Sequence, residues 1–183
     1  MSLVFVKRDI KNRNITVFSD GRVMSGDRLF VDNEHFCKVS KINEHCLIGV
    51  CGSSLFRDKI TMAFIDKFDF NLFNNSDIFI KKMIISKFVE EQMLLYKEEK
   101  LNEEDYPQFT SIIVINDEIY VCERFANGIS TDLISENTYA VGLGEKTARI
   151  LLDCDFEAQL ILDKMSKFYV GINNKLYWKT IDF

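Results

Sequence analysis

The N-terminal third of the chain carries apolar patterns that are typical of β-strands. LVFVKR (Leu3 to Arg8) and NITVF (Asn14 to Phe18) are β-rich runs, and the polar DIKNRN lies between them. This arrangement predicts a hairpin. HFCKVSKI alternates apolar and polar residues, and HCLIGVCG is a nearly continuous apolar run. The second run is typical of a strand that is buried on both faces.

Helical spacing follows these strands. Ser53 or Ser54 is suited to cap a first helix, and a second, longer helix is expected to start near Ser76-Asp77. Each helix has one apolar face, which we interpret as core and not as a cofactor site. The faces consist of Phe56, Ile60, Ala63, Phe64 and Phe68 in the first helix, and of Ile85, Phe88, Val89, Met93 and Tyr96 in the second.

The second half of the chain repeats the sequence of strands and helices. FTSIIVIN and EIYVCERF flank Asp117 as a hairpin, and TYAVGLG is a strand that ends on glycines. FYVGI and KLYWKTI form a closing hairpin across Asn173-Asn174 in this interpretation. Two helical stretches lie between, with apolar faces that contain Ala148, Leu151 and Leu152 in one and Ala158, Ile161, Leu162 and Met165 in the other.

The order of these elements predicts the fold class. Hairpins with helices grouped between them indicate an α+β fold and not alternating βαβ units. Two antiparallel sheets packed face to face, with a helix pair on each outer side, would cover every apolar surface in a four-layer α-β-β-α sandwich. A length of 183 residues is suited to a single domain over 1–183.

Composition narrows the classes of function and partner. The net charge is -5 with no basic stripe, so nucleic acid is not an expected partner. No apolar run is long enough to span a membrane, and no signal peptide is predicted. Five cysteines without a CxxC pair favour a reducing, cytoplasmic environment over a disulfide framework. With two histidines, a His-rich zinc site is not expected, and we predict no metal and no cofactor.

Several polar positions have both a structural and a functional interpretation. Asp20-Gly21-Arg22 is either a turn after the second strand or a device that brings a carboxylate and an arginine to a fixed position. Lys38 is a charge on a strand, Gly52 ends the apolar GVCG run, and Asp163 and Ser166 share one face of the last helix. Taken singly, each is ordinary.

In order along the chain, these residues resemble the proteasome β-subunit family, and within it the bacterial HslV-type peptidases. The resemblance covers nearly the whole chain. Asp20-Gly21-Arg22 with Gly26 is similar to the family's segment after its second strand, and Lys38 occupies the position of its catalytic lysine. Gly52 resembles the glycine whose N–H is the oxyanion donor, and Asp163-x-x-Ser166 the Asp-x-x-Ser pair that supports the active site.

The resemblance implies an N-terminal nucleophile, which is a threonine in the family and uses its own α-amino group as base. Here the nucleophile position falls at Met1 or Ser2, and we assign it to Ser2 after removal of Met1, although the opening MSL is also compatible with a cloning leader. Asp20 would hold Lys38 charged, Gly52 would bind the oxyanion, and Asp163 and Ser166 would orient the N-terminus. Arg22 is assigned to binding.

One departure from the family affects activity. Gly142-Leu143-Gly144 occupies the position of the family's Gly-Ser-Gly, and Leu143 has no hydroxyl to bond the N-terminal amine. Three hypotheses follow: a peptidase, a catalytically inactive subunit for assembly or scaffolding, and a generic α+β domain whose resemblance is accidental. The family further implies a peptide or unfolded-protein substrate, a homo-oligomeric ring of six or seven subunits stacked in pairs, and an unfoldase ATPase as partner.

Overall fold

The computed structural model describes residues 2–25, 28–30, 37–99, 109–125 and 128–183. Along these described residues, six strands are followed by three helices, then four strands, two helices and a last strand. The strands are β1 (Leu3–Asp9), β2 (Asn14–Asp20), β3 (Val23–Ser25), β4 (Arg28–Phe30), β5 (Val39–Asn43), β6 (Cys46–Gly52), β7 (Phe109–Ile115), β8 (Glu118–Phe125), β9 (Gly128–Ile134), β10 (Thr138–Gly142) and β11 (Leu176–Asp182). The helices are α1 (Ser54–Asp66), α2 (Phe70–Asn74), α3 (Ile78–Glu99), α4 (Glu145–Asp153) and α5 (Ala158–Phe168).

Two antiparallel sheets form the centre of the molecule. One has the strand order β10-β1-β2-β11 and the other the order β5-β6-β7-β8-β9, while β3 and β4 pair as a separate hairpin. Strand β6 is paired on both sides in its sheet, and its residues Cys46 to Cys51 are all buried, as the continuous apolar run predicted.

Three apolar layers hold the sheets and helices together. Strand β1 shows how they are separated: Val4 and Val6 pack between the two sheets, whereas Leu3 and Phe5 face α4 and α5. Side chains that alternate between the two faces of a strand produce this division. Phe56, Phe64 and Val89 belong to the third layer, in which α1 and α3 cover the five-stranded sheet. The predicted α+β, four-layer α-β-β-α sandwich is confirmed.

The helix starts agree with the sequence signals. The Ser53 hydroxyl accepts a hydrogen bond from the Phe56 N–H at 3.4 Å, so Ser53 and not Ser54 caps α1. The Asp77 carboxylate accepts from the Ile80 N–H at 3.0 Å at the start of α3. Both are N-terminal caps that satisfy donors left open in the first turn of a helix.

The predicted closing hairpin is wrong in its first strand. FYVGI does not form a strand, because α5 continues to Phe168 and the Tyr169 N–H still donates to the Met165 carbonyl. The Ile172 N–H then donates to the Tyr169 carbonyl in a turn. Backbone groups that a strand would need are therefore already used, and only β11 follows. It pairs with β2 instead.

Strand β9 and the short helix α2 have no counterpart in the sequence-based prediction. The segment GISTDLI is polar, yet it pairs with β8 along its whole length as the edge strand of the sheet. Its central Thr131 accepts a hydrogen bond from the Ser86 hydroxyl of α3 at 2.8 Å. A polar edge strand of this kind lacks the apolar alternation on which the prediction relied. Among the described residues, no helix is long and apolar enough to cross a membrane.

Candidate active site

The first described residues are fixed by hydrogen bonds on both sides of one peptide. Ser2 is 9% exposed, and its carbonyl accepts a hydrogen bond from the Leu143 N–H at 2.7 Å. The next backbone N–H, that of Leu3, donates to Asp20 Oδ1 at 2.9 Å. The Ser2–Leu3 peptide is thereby held between the end of β10 and the end of β2.

The Asp20 carboxylate is the centre of this arrangement. Besides the Leu3 N–H, Oδ1 accepts from Lys38 Nζ at 2.6 Å, and Oδ2 accepts from the Arg22 N–H at 2.9 Å. Asp20 is fully buried and Lys38 is 3% exposed. Three N–H donors therefore meet at this one side chain, and hydrogen bonds between charged groups are shorter and stronger than neutral ones. Breaking a buried pair by removing one partner typically costs about 3–5 kcal/mol.

The Lys38 ammonium lies beside the Ser2–Leu3 peptide, because Lys38 Nζ and the Leu3 N–H share one oxygen of Asp20. Burial lowers the pKa of Lys38, while the charge of Asp20 and its hydrogen bond oppose this effect. The pair therefore places a buried lysine amine at the start of β1.

Cys51 is a neighbour that the sequence analysis did not assign to the site. Its Sγ lies 3.6 Å from the Ser2 carbonyl oxygen and 3.5 Å from that of Val141. Burial raises the pKa of Cys51 to about 12, against a smaller opposing effect of Lys38. The side chain is therefore a thiol that donates to carbonyl groups, and not a thiolate nucleophile.

Gly142 gives the Ser2 carbonyl the space that it occupies. A Cβ atom at position 142 would lie 2.1 Å from the Ser2 carbonyl oxygen, and Gly142 has a φ of 96°. Both the contact and the left-handed conformation require glycine. The adjacent Leu143 directs its side chain into the layer of α4 and α5 and contributes only its N–H to Ser2.

Comparison with known proteins gives a structural match and no sequence match. Eukaryotic HslV from Trypanosoma brucei superimposes with a TM-score of 0.65, over 99% of this chain and 99% of that chain, at 15% sequence identity. The chain has the HslV fold. No family model matches its sequence, and no curated protein matches it either. The fold that the sequence resemblance predicted is confirmed.

In this HslV fold, the predicted oxyanion glycine lies at the junction between β6 and α1. Gly52 is the last residue of β6, follows Cys51 directly and is exposed. Its φ of 127° is a conformation that glycine adopts readily and other residues rarely. Helix α1 starts two residues later, behind the Ser53 cap. Its role as an oxyanion donor stays a prediction.

Asp163 and Ser166 form their hydrogen bonds away from Ser2, Asp20 and Lys38. Both lie inside α5, where the Ser166 hydroxyl donates to the Asp163 carbonyl at 3.2 Å. The Asp163 carboxylate accepts from Gln159 Nε2 at 3.0 Å. Among the described residues, neither side chain has a hydrogen bond or ion pair with Ser2, Asp20 or Lys38. Asp163 and Ser166 are therefore not bonded to the Asp20–Lys38 ion pair.

The segment that does reach Asp20-Gly21-Arg22 is the connection between α5 and β11. The Gly21 N–H donates to Asn173 Oδ1 at 2.9 Å, and Arg22 donates through its guanidinium to the Val170 carbonyl. Gly21 does not have a positive φ; it is glycine because a Cβ there would lie 2.5 Å from the Tyr177 ring. The binding role of Arg22 stays a prediction. Met1 and Gly26 lie outside the described residues.

The described residues contain no group of three or more His, Cys, Asp or Glu side chains that could hold a metal ion. Around Asp20, the described residues provide backbone N–H donors, one buried ion pair and the groups of Ser2.

The contact between Gly142 and Ser2 gives a stability prediction. Gly142→Ala adds a Cβ that collides with the Ser2 carbonyl, on top of the cost of a positive φ. Gly128→Ala is the matched control, because Gly128 has a φ of 135° and, among the described residues, its Cβ would meet only Glu90 Oε1 at 3.5 Å. We expect Gly128→Ala to lower the free energy of unfolding by about 1–3 kcal/mol, and Gly142→Ala by about 1–3 kcal/mol more. Equal losses in urea unfolding would show that the Ser2 peptide is not fixed there.

Cysteine reactivity tests the description of Cys51. Cys154 is exposed, whereas Cys51 is buried with a pKa raised to about 12. Iodoacetamide at neutral pH should therefore modify Cys154 in the folded protein and leave Cys51 unmodified, since alkylation requires an accessible thiolate. Unfolding in urea should abolish the difference. Peptide mass mapping measures it, and rapid labelling of native Cys51 would contradict the burial described here.

Proposed function

We propose that this chain is an N-terminal-nucleophile peptidase subunit that hydrolyses amide bonds in peptides or unfolded proteins. The observation that carries the proposal is the buried Asp20–Lys38 ion pair, which is bonded at 2.6 Å and shares Asp20 Oδ1 with the Leu3 N–H. A cation held against the first residues of β1 in an HslV fold is the electrostatic element that an N-terminal nucleophile requires. Ser2 supplies the nucleophile in this proposal, once Met1 has been removed.

The chemistry assigned to Ser2 uses two groups of one residue. Its α-amino group accepts the hydroxyl proton as the oxygen attacks the scissile carbonyl carbon, and the pKa of such a group in an unstructured peptide is about 8. The Lys38 cation nearby lowers the pKa of the amine through like-charge repulsion, so that the neutral base is populated near neutral pH.

The carbonyl oxygen of the substrate becomes an oxyanion in the same step. In the proposal it accepts a hydrogen bond from the Gly52 N–H; a donor of this kind contributes about 3–4 kcal/mol in other enzymes. The protonated α-amine then gives its proton to the leaving amine, and an acyl-Ser2 ester remains. Water, deprotonated by the same amine, hydrolyses the ester and restores Ser2.

A second candidate is a catalytically inactive subunit that serves in assembly or as a scaffold. It is favoured by Leu143, whose side chain packs with α4 and α5 instead of offering a hydroxyl to the N-terminus. The contacts of Asp163 and Ser166 within α5 support the same candidate. Retention of a desolvated ion pair beside Ser2 favours the peptidase, because an apolar pair of similar volume is often equally stable or more so.

The peptidase proposal is tested on protein whose N-terminal mass shows that Met1 is absent. We expect hydrolysis of fluorogenic peptides and casein, and a loss of at least about a hundredfold in Ser2→Ala and in Lys38→Met. Ser2→Thr should retain activity because it keeps the hydroxyl and the amine. Lys41→Met is the matched control, since Lys41 lies on β5, is exposed and pairs only with Glu44 among the described residues.

Two outcomes separate the candidates. Hydrolysis that survives in folded Lys38→Met would show that the site is assigned wrongly. A processed wild-type chain that hydrolyses no substrate, while thermal unfolding shows it to be folded, would leave the inactive subunit as the function.

We further propose that the subunit works as a homo-oligomeric ring in the cytoplasm, with an unfoldase ATPase as partner. The outward faces of α1 and α3 support assembly, because they expose Leu55, Met62, Ile65, Ile78 and Phe79. Large apolar side chains that a single chain leaves exposed on neighbouring helices are a surface that assembly would cover. The buried, unpaired Cys46, Cys51 and Cys122 are consistent with a reducing compartment.

Sedimentation velocity tests the ring. We expect a species with a mass of several subunits, and Phe79→Lys should shift it toward monomer, since Phe79 is 72% exposed in the single chain. Lys87→Glu, on a different exposed position of α3, is the control. A wild-type chain that sediments as a monomer at micromolar concentration would contradict the assembly proposal.

A further inference from the structure

The connection between α5 and β11 holds the Asp20-Gly21-Arg22 segment at two points. Asn173 Oδ1 accepts from the Gly21 N–H at 2.9 Å and from the Lys175 N–H at 3.3 Å. The Val170 carbonyl accepts from the Arg22 guanidinium. The two contacts to the segment are not local, because the Gly21–Asn173 bond joins residues separated by 152 positions.

The Asn173 amide is a buried polar group with a defined task. Asn173 is 4% exposed, and Gly21 is buried beneath the Tyr177 ring. A buried backbone N–H without an acceptor is rare in folded proteins, and leaving one unpaired is costly. The Asn173 side chain is therefore the acceptor that allows the Gly21 peptide to be buried at this point.

Fixing the Gly21 N–H fixes the orientation of Asp20. That N–H belongs to the peptide plane between Asp20 and Gly21, so its bond to Asn173 restrains the backbone rotation at Asp20. One residue further, Asp20 Oδ2 accepts from the Arg22 N–H at 2.9 Å, which ties the carboxylate to the same turn. With Oδ2 held in this way, Oδ1 is directed at Lys38 Nζ and the Leu3 N–H.

We propose that Asn173 is a positioning residue, which holds the Asp20 carboxylate on Lys38 and on the Leu3 N–H through its bond to Gly21. The bonds of its Oδ1 to Gly21 and Lys175 reach neither Lys38 nor Ser2, so in this role it acts through Asp20. The catalytic consequence rests on the proposed function, since it requires that Lys38 and Ser2 serve in hydrolysis. The structural consequence, a dependence of the ion pair on Asn173, does not.

The ionisation of Lys38 reports on this link without any need for peptidase activity. The charged and titratable groups that act on Lys38 are Asp20, Cys51 and Arg57. Burial lowers the pKa of Lys38, and Asp20 counteracts it. If the carboxylate is displaced, this counteraction weakens and the pKa of Lys38 falls further.

The experiment is an NMR titration of the Lys38 side-chain amine in the full chain, with the signal assigned by its absence in Lys38→Met. Asn173→Leu keeps the approximate volume and removes the acceptor, and we expect the Lys38 titration to shift to lower pH than in wild type. Asn173→Asp keeps an acceptor for the Gly21 N–H and should not shift it downward. Asn174→Leu, at the exposed neighbouring position, should leave it unchanged.

A second variant protects the test against misfolding of Asn173→Leu. Asn173→Ser is smaller and its hydroxyl is too short to reach Gly21, so the same downward shift is expected. A folded Asn173→Leu or Asn173→Ser with the wild-type Lys38 titration overturns the proposal. So does an equal shift in Asn174→Leu.

The kinetic arm separates failure of the positioning role from failure of the proposed function. In an active subunit, Asn173→Leu should lower kcat by about ten- to a hundredfold with little change in KM, because a small displacement of a catalytic group has this effect. Asn173→Asp should restore kcat. If wild type hydrolyses nothing, the peptidase proposal fails alone, and the Lys38 titration still decides the role of Asn173.

Discussion

The ion pair of Asp20 and Lys38 joins the two sheets at one end of the sandwich. Asp20 is the last residue of β2 in the four-stranded sheet, and Lys38 directly precedes β5 in the five-stranded sheet. Both are buried, and their atoms approach to 2.6 Å. The core between the sheets is apolar and its contacts have no preferred direction, so this buried charged contact helps to fix how the sheet ends meet. A buried charge without its partner is strongly destabilising because it has lost its hydration, so the two side chains are held in one relative geometry.

The ends of several elements converge on this pair, and backbone groups form most of the contacts. Leu143, after β10, and Leu3, at the start of β1, contribute N–H groups, and Ser2 contributes a carbonyl. Backbone can approach this closely only where side chains are absent, which is the reason for Gly142 against Ser2 and for Gly21 beneath Tyr177. The site is thus a consequence of how the strands end.

The sequence predicts the fold well because the layers follow from local periodicity. Strand β6 appears as an unbroken apolar run, and α1 and α3 appear as apolar stripes behind Ser and Asp caps. Asp20 and Lys38 could be identified because each is a charged residue next to a predicted strand, and because their order along the chain resembles that of a known family. Strand β9 lacks such a signal, since an edge strand paired on one side tolerates polar residues.

Residues whose contacts join distant parts of the chain could not be identified from the sequence. Asn173 lies in a polar pair, Asn173-Asn174, that is typical of a turn, and nothing local distinguishes the buried amide from its exposed neighbour. The hairpin predicted for FYVGI failed for the same reason, because the partner of β11 is β2, far away in the chain.

The backbone and the side chain of Leu143 have different functions. Its N–H holds the Ser2 carbonyl at 2.7 Å, while its side chain contributes to the core of α4 and α5. A residue at this position can therefore keep its structural function without any hydroxyl. In the proposed function, the effect of Lys38 on the Ser2 amine is likewise independent of that hydroxyl, since like-charge repulsion acts through space. Holding of the Ser2–Leu3 peptide by backbone bonds and, in the proposed function, tuning of the Ser2 amine by the ion pair are therefore separable, because Leu143 serves the first and Lys38 the second.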